Sequence, residues 1–158
     1  MKLRPITAIQ SILVAILFFS CGFAFGQSPF ELVAKWVLDL DKMASVHPEW
    51  QGELTPDLWI VTSYSNHELR ISRGIEADEV RQADDLERYN FDHATRIPFG
   101  DSQAVVEARW EQNRVVATVA PVNGDAALTR SIYREDQWMV IEEKRSDGET
   151  FRWYFAKS

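Results

Sequence analysis

The stretch SQAVVEARWEQNRVVATVAPVNGDAALTRSIYREDQWMVIEEKRSDGETFRWYFA, residues 102–156, decides the fold. It divides into five short runs rich in β-branched and aromatic residues: SQAVVEARW, RVVATVAP, ALTRSIY, QWMVIEEKR and ETFRWYFA. The connectors EQN, VNGD, RED and SDG are hairpin-sized, and two of them carry Asn-Gly or Asp-Gly, which accept the positive φ that tight hairpin turns require. Connections this short force neighbours to run antiparallel, so the stretch reads as an up-and-down meander.

Working outward, LWIVTSY (58–64) and HELRISRGI (67–75) are separated by Ser65 and Asn66 and read as one more hairpin, giving seven strands. Nearer the N-terminus, SPFELVAKWVLDLDKM (28–43) sends two signals. Ser28, Pro29 and Glu31 form a helix start, with Phe30, Val33, Ala34 and Val37 at helical spacing. Trp36, Leu38 and Leu40, however, alternate with Lys35, Val37, Asp39 and Asp41 at strand period. A helical turn to about Ala34 followed by a strand over Lys35 to Asp41 satisfies both, and that strand is the eighth. The expected fold is all-β: an antiparallel up-and-down barrel of about eight strands, opened by a short helical turn. The last strand is expected to pair with the first, leaving no free edge.

One segment breaks the pattern. EADEVRQADDLER, Glu76 to Arg88, holds six acids against two arginines, with Val80 and Leu86 as its large apolar residues. It reads as a solvated loop or short surface helix, and as a lid over a barrel mouth in the sharper alternative.

Residues 1–26 read as an address. Lys2 and Arg4 give a basic start, an apolar run follows, and Ala24 and Gly26 fit the small residues before a signal-peptidase cut ahead of Gln27. The expected domain is then 27–158, secreted or periplasmic. Two rivals stay open: an uncleaved anchor over Ile6 to Phe25, diluted by Gln10, Ser11, Ser20 and Gly22, and a lipoprotein acylated at Cys21, where Phe18 departs from the usual lipobox leucine. After cleavage no membrane span is expected. Cys21 is the one cysteine, so the domain carries no disulfide and its core must stabilise it.

Loss of Lys2 and Arg4 moves the formal charge from −7 to −9. So acidic a domain is a poor partner for nucleic acid or an anionic membrane surface.

Catalytic signatures are missing. His47, His67 and His93 lie on separate segments, and there is no Gly-x-Ser-x-Gly and no cysteine nucleophile in the domain. Asp92 adjoins His93, but neighbours on a strand point to opposite faces, so His93 reads as a loop or edge residue. No His-x-x-x-His or cysteine pair marks a metal site. No enzyme activity, cofactor or metal is expected.

Trp36 within FELVAKWVLDLDK, and Arg152, Tyr154 and Lys157 within FRWYFAK, carry a resemblance to the lipocalin-like (calycin) group of small β-barrels, secreted bacterial members in particular. The resemblance covers both ends and the meander. Ala34 stands where that group often has glycine, and residues 75–100 do not align. It implies a ligand-binding barrel in which Arg152 and Tyr154 point inward and hold a carboxylate, the geometry a guanidinium suits. Strand period alone puts Phe151, Trp153 and Phe155 on one face and Arg152 with Tyr154 on the other, and leaves open which face is inside. A third arrangement stacks Arg152 on Trp36. The six tryptophans, Trp36, Trp50, Trp59, Trp110, Trp138 and Trp153, fill a core or line a pocket equally well. Two functions follow: an exported non-enzymatic barrel binding a small apolar or amphipathic ligand through Arg152, Tyr154 and Trp36, or a filled barrel acting as an envelope structural or protein-interaction module.

Overall fold

The computed structural model describes residues 28–49, 58–75 and 86–158. The signal segment, Cys21, Trp50 and most of the acidic segment (76–85) lie outside the described residues. A 3-10 turn, Pro29–Leu32, leads into β1 (Lys35–Leu38) and a short helix, α1 (Leu40–Val46). There follow β2 (Leu58–Ser65), β3 (Glu68–Ile75), β4 (Leu86–Asn90), β5 (Thr95–Phe99), β6 (Ser102–Glu111), β7 (Arg114–Pro121), β8 (Leu128–Glu135), β9 (Trp138–Lys144) and β10 (Thr150–Lys157).

Among the described residues these form one antiparallel sheet of ten strands, ordered β4-β3-β2-β1-β10-β9-β8-β7-β6-β5. Its two end strands, β4 and β5, are in contact without pairing in a ladder, so the sheet is a nearly closed barrel. Where they meet, the Thr95 hydroxyl donates to the Arg88 carbonyl at 2.5 Å. The meander and the β2–β3 hairpin match the sequence reading. So does closure of the last strand on the first, through Trp36 opposite Lys157 and Leu38 opposite Phe155.

Two expectations need correction. The strand count is ten rather than about eight, because Leu86–Asn90 and Thr95–Phe99 are also strands. Their charges and Pro98 mask the alternation that marks a strand. The first strand also stops at Leu38 rather than running to Asp41. Asp39 leaves the sheet to cap α1, accepting from the Lys42 amide at 2.9 Å, and a carboxylate at that position satisfies an otherwise unpaired helix donor. The helix then covers the edge of β10 beyond the end of β1. The Asp39 amide donates to the Tyr154 carbonyl at 2.9 Å, and the Tyr154 amide lies 3.4 Å from Met43 Sδ.

Register assigns the faces. Trp36 lies opposite Ile60, and Leu38 opposite Phe155, which lies opposite Met139; Ile141 in turn lies opposite Ile132 and Trp153. Residues directly opposite share a face, so these side chains form the barrel interior. One end is plugged. The 3-10 turn contacts β2 and β8, strands on different walls, and inserts the buried Leu32. Beneath it the Trp36 indole N–H donates to the Leu32 carbonyl at 2.9 Å and to Thr62 Oγ1 at 3.2 Å, while the Thr62 hydroxyl donates to the Leu32 carbonyl.

On the outer face Trp59 lies across Gly74, with Lys35 Nζ 5.6 Å from its ring. A Cβ at position 74 would stand 2.3 Å from Trp59 Cζ2. Gly74→Ala is therefore expected to displace the indole and cost about 1–3 kcal/mol in chemical denaturation. An unchanged midpoint would mean that the ring does not constrain this position.

Candidate functional site

The end opposite the plug is built from the end of β3, the starts of β4, β8 and β10, and the ends of β5 and β9. A cavity of about 280 Å³ opens there. Leu58, Phe99, Ile141, Trp153 and Phe155 supply its apolar wall, and Arg73, Glu87, Arg130 and Glu143 its polar one. A further concavity of about 550 Å³ shares Glu143 and Trp153 with it and extends to His47. The first volume is at the small end of what ligand pockets occupy.

Each polar group belongs to the inner face of its strand. Arg73 follows Leu69 and Ile71, Glu143 follows Met139 and Ile141, Arg130 stands between Leu128 and Ile132, and Glu87 precedes Tyr89. Arg130 and Glu87 are both nearly inaccessible, at 4% and 5% exposure, which requires each charge to be paired. They are paired with each other, as Arg130 Nη1 donates to Glu87 Oε2 at 2.9 Å and to the Tyr89 hydroxyl at 2.6 Å. Its Nε and Nη2 donate to Glu143 Oε1 at 3.0 and 2.5 Å. Arg73 Nη2 completes the group, donating to Glu87 Oε1 at 2.5 Å, and the Tyr89 hydroxyl donates to Glu87 Oε2 at 2.5 Å. Two cations and two carboxylates thus sum to zero. One donor is left over: Arg73 Nε is buried and has no partner among the described residues.

Burial alone would raise the Glu87 pKa, but Arg130 and Arg73, with hydrogen bonds from Tyr89 and Arg73, outweigh it and hold the carboxyl below its ordinary value of 4.5. Burial, with Glu87 beside it, pushes the Tyr89 phenol well above its usual range and keeps it a donor.

The residues expected to anchor a ligand are placed apart. Phe151, Trp153 and Phe155 take the inner face of β10, and Arg152 and Tyr154 take the outer one. Arg152 Nε donates to Glu142 at 2.6 Å, outside the barrel. Tyr154 is buried against α1, with Lys42 Nζ 5.0 Å from its ring. Trp36 faces inward, in the plugged end and on the opposite side of the sheet from Arg152, and among the described residues no cation–π contact joins the two. Lys42 stands over Trp138 instead, 4.4 Å from its ring.

Glu87 lies within the segment expected to be solvated, and Arg73, Arg130 and Glu143 belong to no sequence motif. A signal for them exists in the sequence: each sits at the apolar phase of its own strand. His93 lies in the bend after β4, its amide donating to Asn90 Oδ1 at 3.1 Å. Asp92 pairs with His67 rather than with its neighbour, at 3.2 Å. His47 stacks on Phe151, with ring centroids 4.2 Å apart. Among the described residues no group of three or more His, Cys, Asp or Glu is arranged to hold a metal, and no helix is long and apolar enough to cross a membrane.

No family model and no curated protein sequence matches the chain. Solved structures resemble it. Apo lipid binding protein 8 of Caenorhabditis elegans superposes with a TM-score of 0.62 at 8% identity, over 84% of this chain and 99% of that one. A REP1-NXSQ fatty acid transporter gives 0.58 at 12%, covering 81% and 96%. Secretory abundant heat soluble protein 4 of Ramazzottius varieornatus gives 0.57 at 7%, covering 80% and 94%. Identities this low establish a shared barrel architecture and nothing finer.

The depressed Glu87 pKa makes a prediction with a definite sign. A carboxyl whose folded pKa lies below its unfolded value stabilises the fold above 4.5, and that contribution is lost as pH falls through the folded value. Glu68, held low by Arg70 and Arg88 despite burial, acts in the same direction. In thermal melts Glu87→Gln is expected to lie well below wild type at neutral pH, by about 3–5 kcal/mol, because Arg73 loses its carboxylate partner and Arg130 one of its two. The gap should narrow on acidification below 4.5. A gap independent of pH would show that the Glu87 charge does not stabilise the fold.

Proposed function

We propose that this protein is an exported, non-enzymatic barrel that binds a small apolar or amphipathic molecule in the cell envelope, with residues 1–26 as a cleaved leader. The observation that carries the binding reading is the cavity at the open end, where an aromatic wall of Phe99, Trp153 and Phe155 faces a few converging polar groups. That combination is what small-molecule sites use: apolar surface for affinity and a small polar set for orientation. The names of two structural neighbours, a lipid binding protein and a fatty acid transporter, support the same chemical class. In this reading the polar anchor is the interior set around Arg73 and Arg130, with Arg152 and Tyr154 outside it and Trp36 as a floor residue of the plugged end.

A second reading, a filled barrel working through its outer surface, draws on the plugged half. There Leu32, Trp36, Leu69, Val115, Ile132 and Met139 are fully or almost fully buried, and the cavity occupies only the other end.

Native mass spectrometry of the protein purified gently from its own envelope fraction separates the two. The binding reading expects a one-to-one adduct of lipid-like mass on a chain beginning at Gln27. Ile141→Phe, which fills the cavity, should lose the adduct, and Arg152→Ala should keep it. A bare polypeptide mass that takes up no added lipid would favour the filled barrel, and loss of the adduct in Arg152→Ala would return the anchor to β10.

A further inference from the structure

We propose that the ligand of this cavity is an uncharged amphiphile with a hydrogen-bond acceptor head, such as an ester, held by the Arg73 guanidinium, and that the site discriminates against fatty-acid anions. The inference rests on the binding reading above and specifies its ligand class.

Charge and donor accounting carry it. A guanidinium offers five N–H donors. Arg130 directs its Nε, Nη1 and Nη2 at Glu143, Glu87 and Tyr89, so both edges of its fork face resident carboxylates. A carboxylate ligand could reach Arg130 only by expelling Glu143 or Glu87. Arg73 differs, in that one nitrogen donates to Glu87 while its side chain, 38% exposed, lines the cavity where a neutral acceptor can reach it. The site has no positive charge left to compensate an anion, because Arg73 and Arg130 are balanced by Glu87 and Glu143. An incoming carboxylate would bring one unmatched negative charge beside two others in a partly desolvated cavity, a penalty that an ester carbonyl escapes. The alkyl part would lie along Trp153, Phe155 and Ile141 on the same wall.

The test compares methyl decanoate with decanoate, equal in chain length and different in head charge, by tryptophan fluorescence titration of the wild-type protein at mildly alkaline pH. The ester is expected to bind at least about tenfold more tightly, a difference of about 1.4 kcal/mol. The Arg73 Nε–H resonance should shift on saturation with the ester. Glu143→Gln gives the site one net positive charge and should move the preference toward decanoate by about tenfold or more. If that variant fails to fold, the wild-type ratio and the Arg73 resonance decide the matter alone. Tighter binding of decanoate by the wild type would overturn the discrimination and leave the binding reading standing. Binding of neither probe would remove both.

Discussion

A guanidinium inside a β-barrel is the constraint on which the open half of this structure depends. Arg130 projects from β8 into the interior and reaches Glu143 on the neighbouring β9 and Glu87 with Tyr89 on β4. No ladder joins β4 to β5, so β4 is paired on one side only, to β3. Beside the Thr95–Arg88 bond at that edge, the Arg130 bonds tie the inward side chains of β4 to a distant wall across the interior. A buried ion network of this kind is a poor source of net stability compared with apolar packing, but losing one member strands the others at high cost. That asymmetry makes the network a specifier of geometry.

The two ends of the barrel show how the same architecture serves packing and vacancy. At one end Leu32, Trp36 and Thr62 satisfy one another and fill the space beneath the 3-10 turn. At the other, long charged side chains meet across the interior and hold the walls apart, leaving a cavity lined by Trp153 and Phe155. A polar network can preserve such a space where apolar side chains would collapse into it, because each of its members is fixed by partners on other strands. The four charges of the network are paired with one another, Arg73 and Arg130 against Glu87 and Glu143.

Much of the fold was legible in the sequence, because hairpin connectors and period-two alternation are local signals. β6 to β10 and the β2–β3 hairpin follow from them, whereas the closure of β10 on β1 was expected from the number of strands and the resemblance to closed barrels. What escaped was decided by longer-range effects. Leu86–Asn90 contains Glu87 and Arg88 and resembles a solvated run, and only pairing with β3 and the reach of Arg130 make it a strand with a buried acid. Asp39 and Leu40 continue the alternation of β1, yet the capping bond to the Lys42 amide turns the chain into α1. For the site, the FRWYFAK motif drew attention to Arg152, whereas register and α1 put Phe151, Trp153 and Phe155 inside and Arg152 beside Glu142. The informative pattern was weaker and spread over four strands: Arg73, Glu87, Arg130 and Glu143 each occupy an apolar phase. A charge in that phase on one strand is unremarked, and only the fold brings the four together.

The most direct test of this account is amide hydrogen exchange of the wild type and Arg130→Met, compared strand by strand. If Arg130 fastens β4 across the interior, the variant should lose protection at Leu86–Asn90 by about tenfold or more relative to β6 and β7, whose ladders on both sides are intact. Equal loss in all strands, or unchanged protection in β4, would contradict the account.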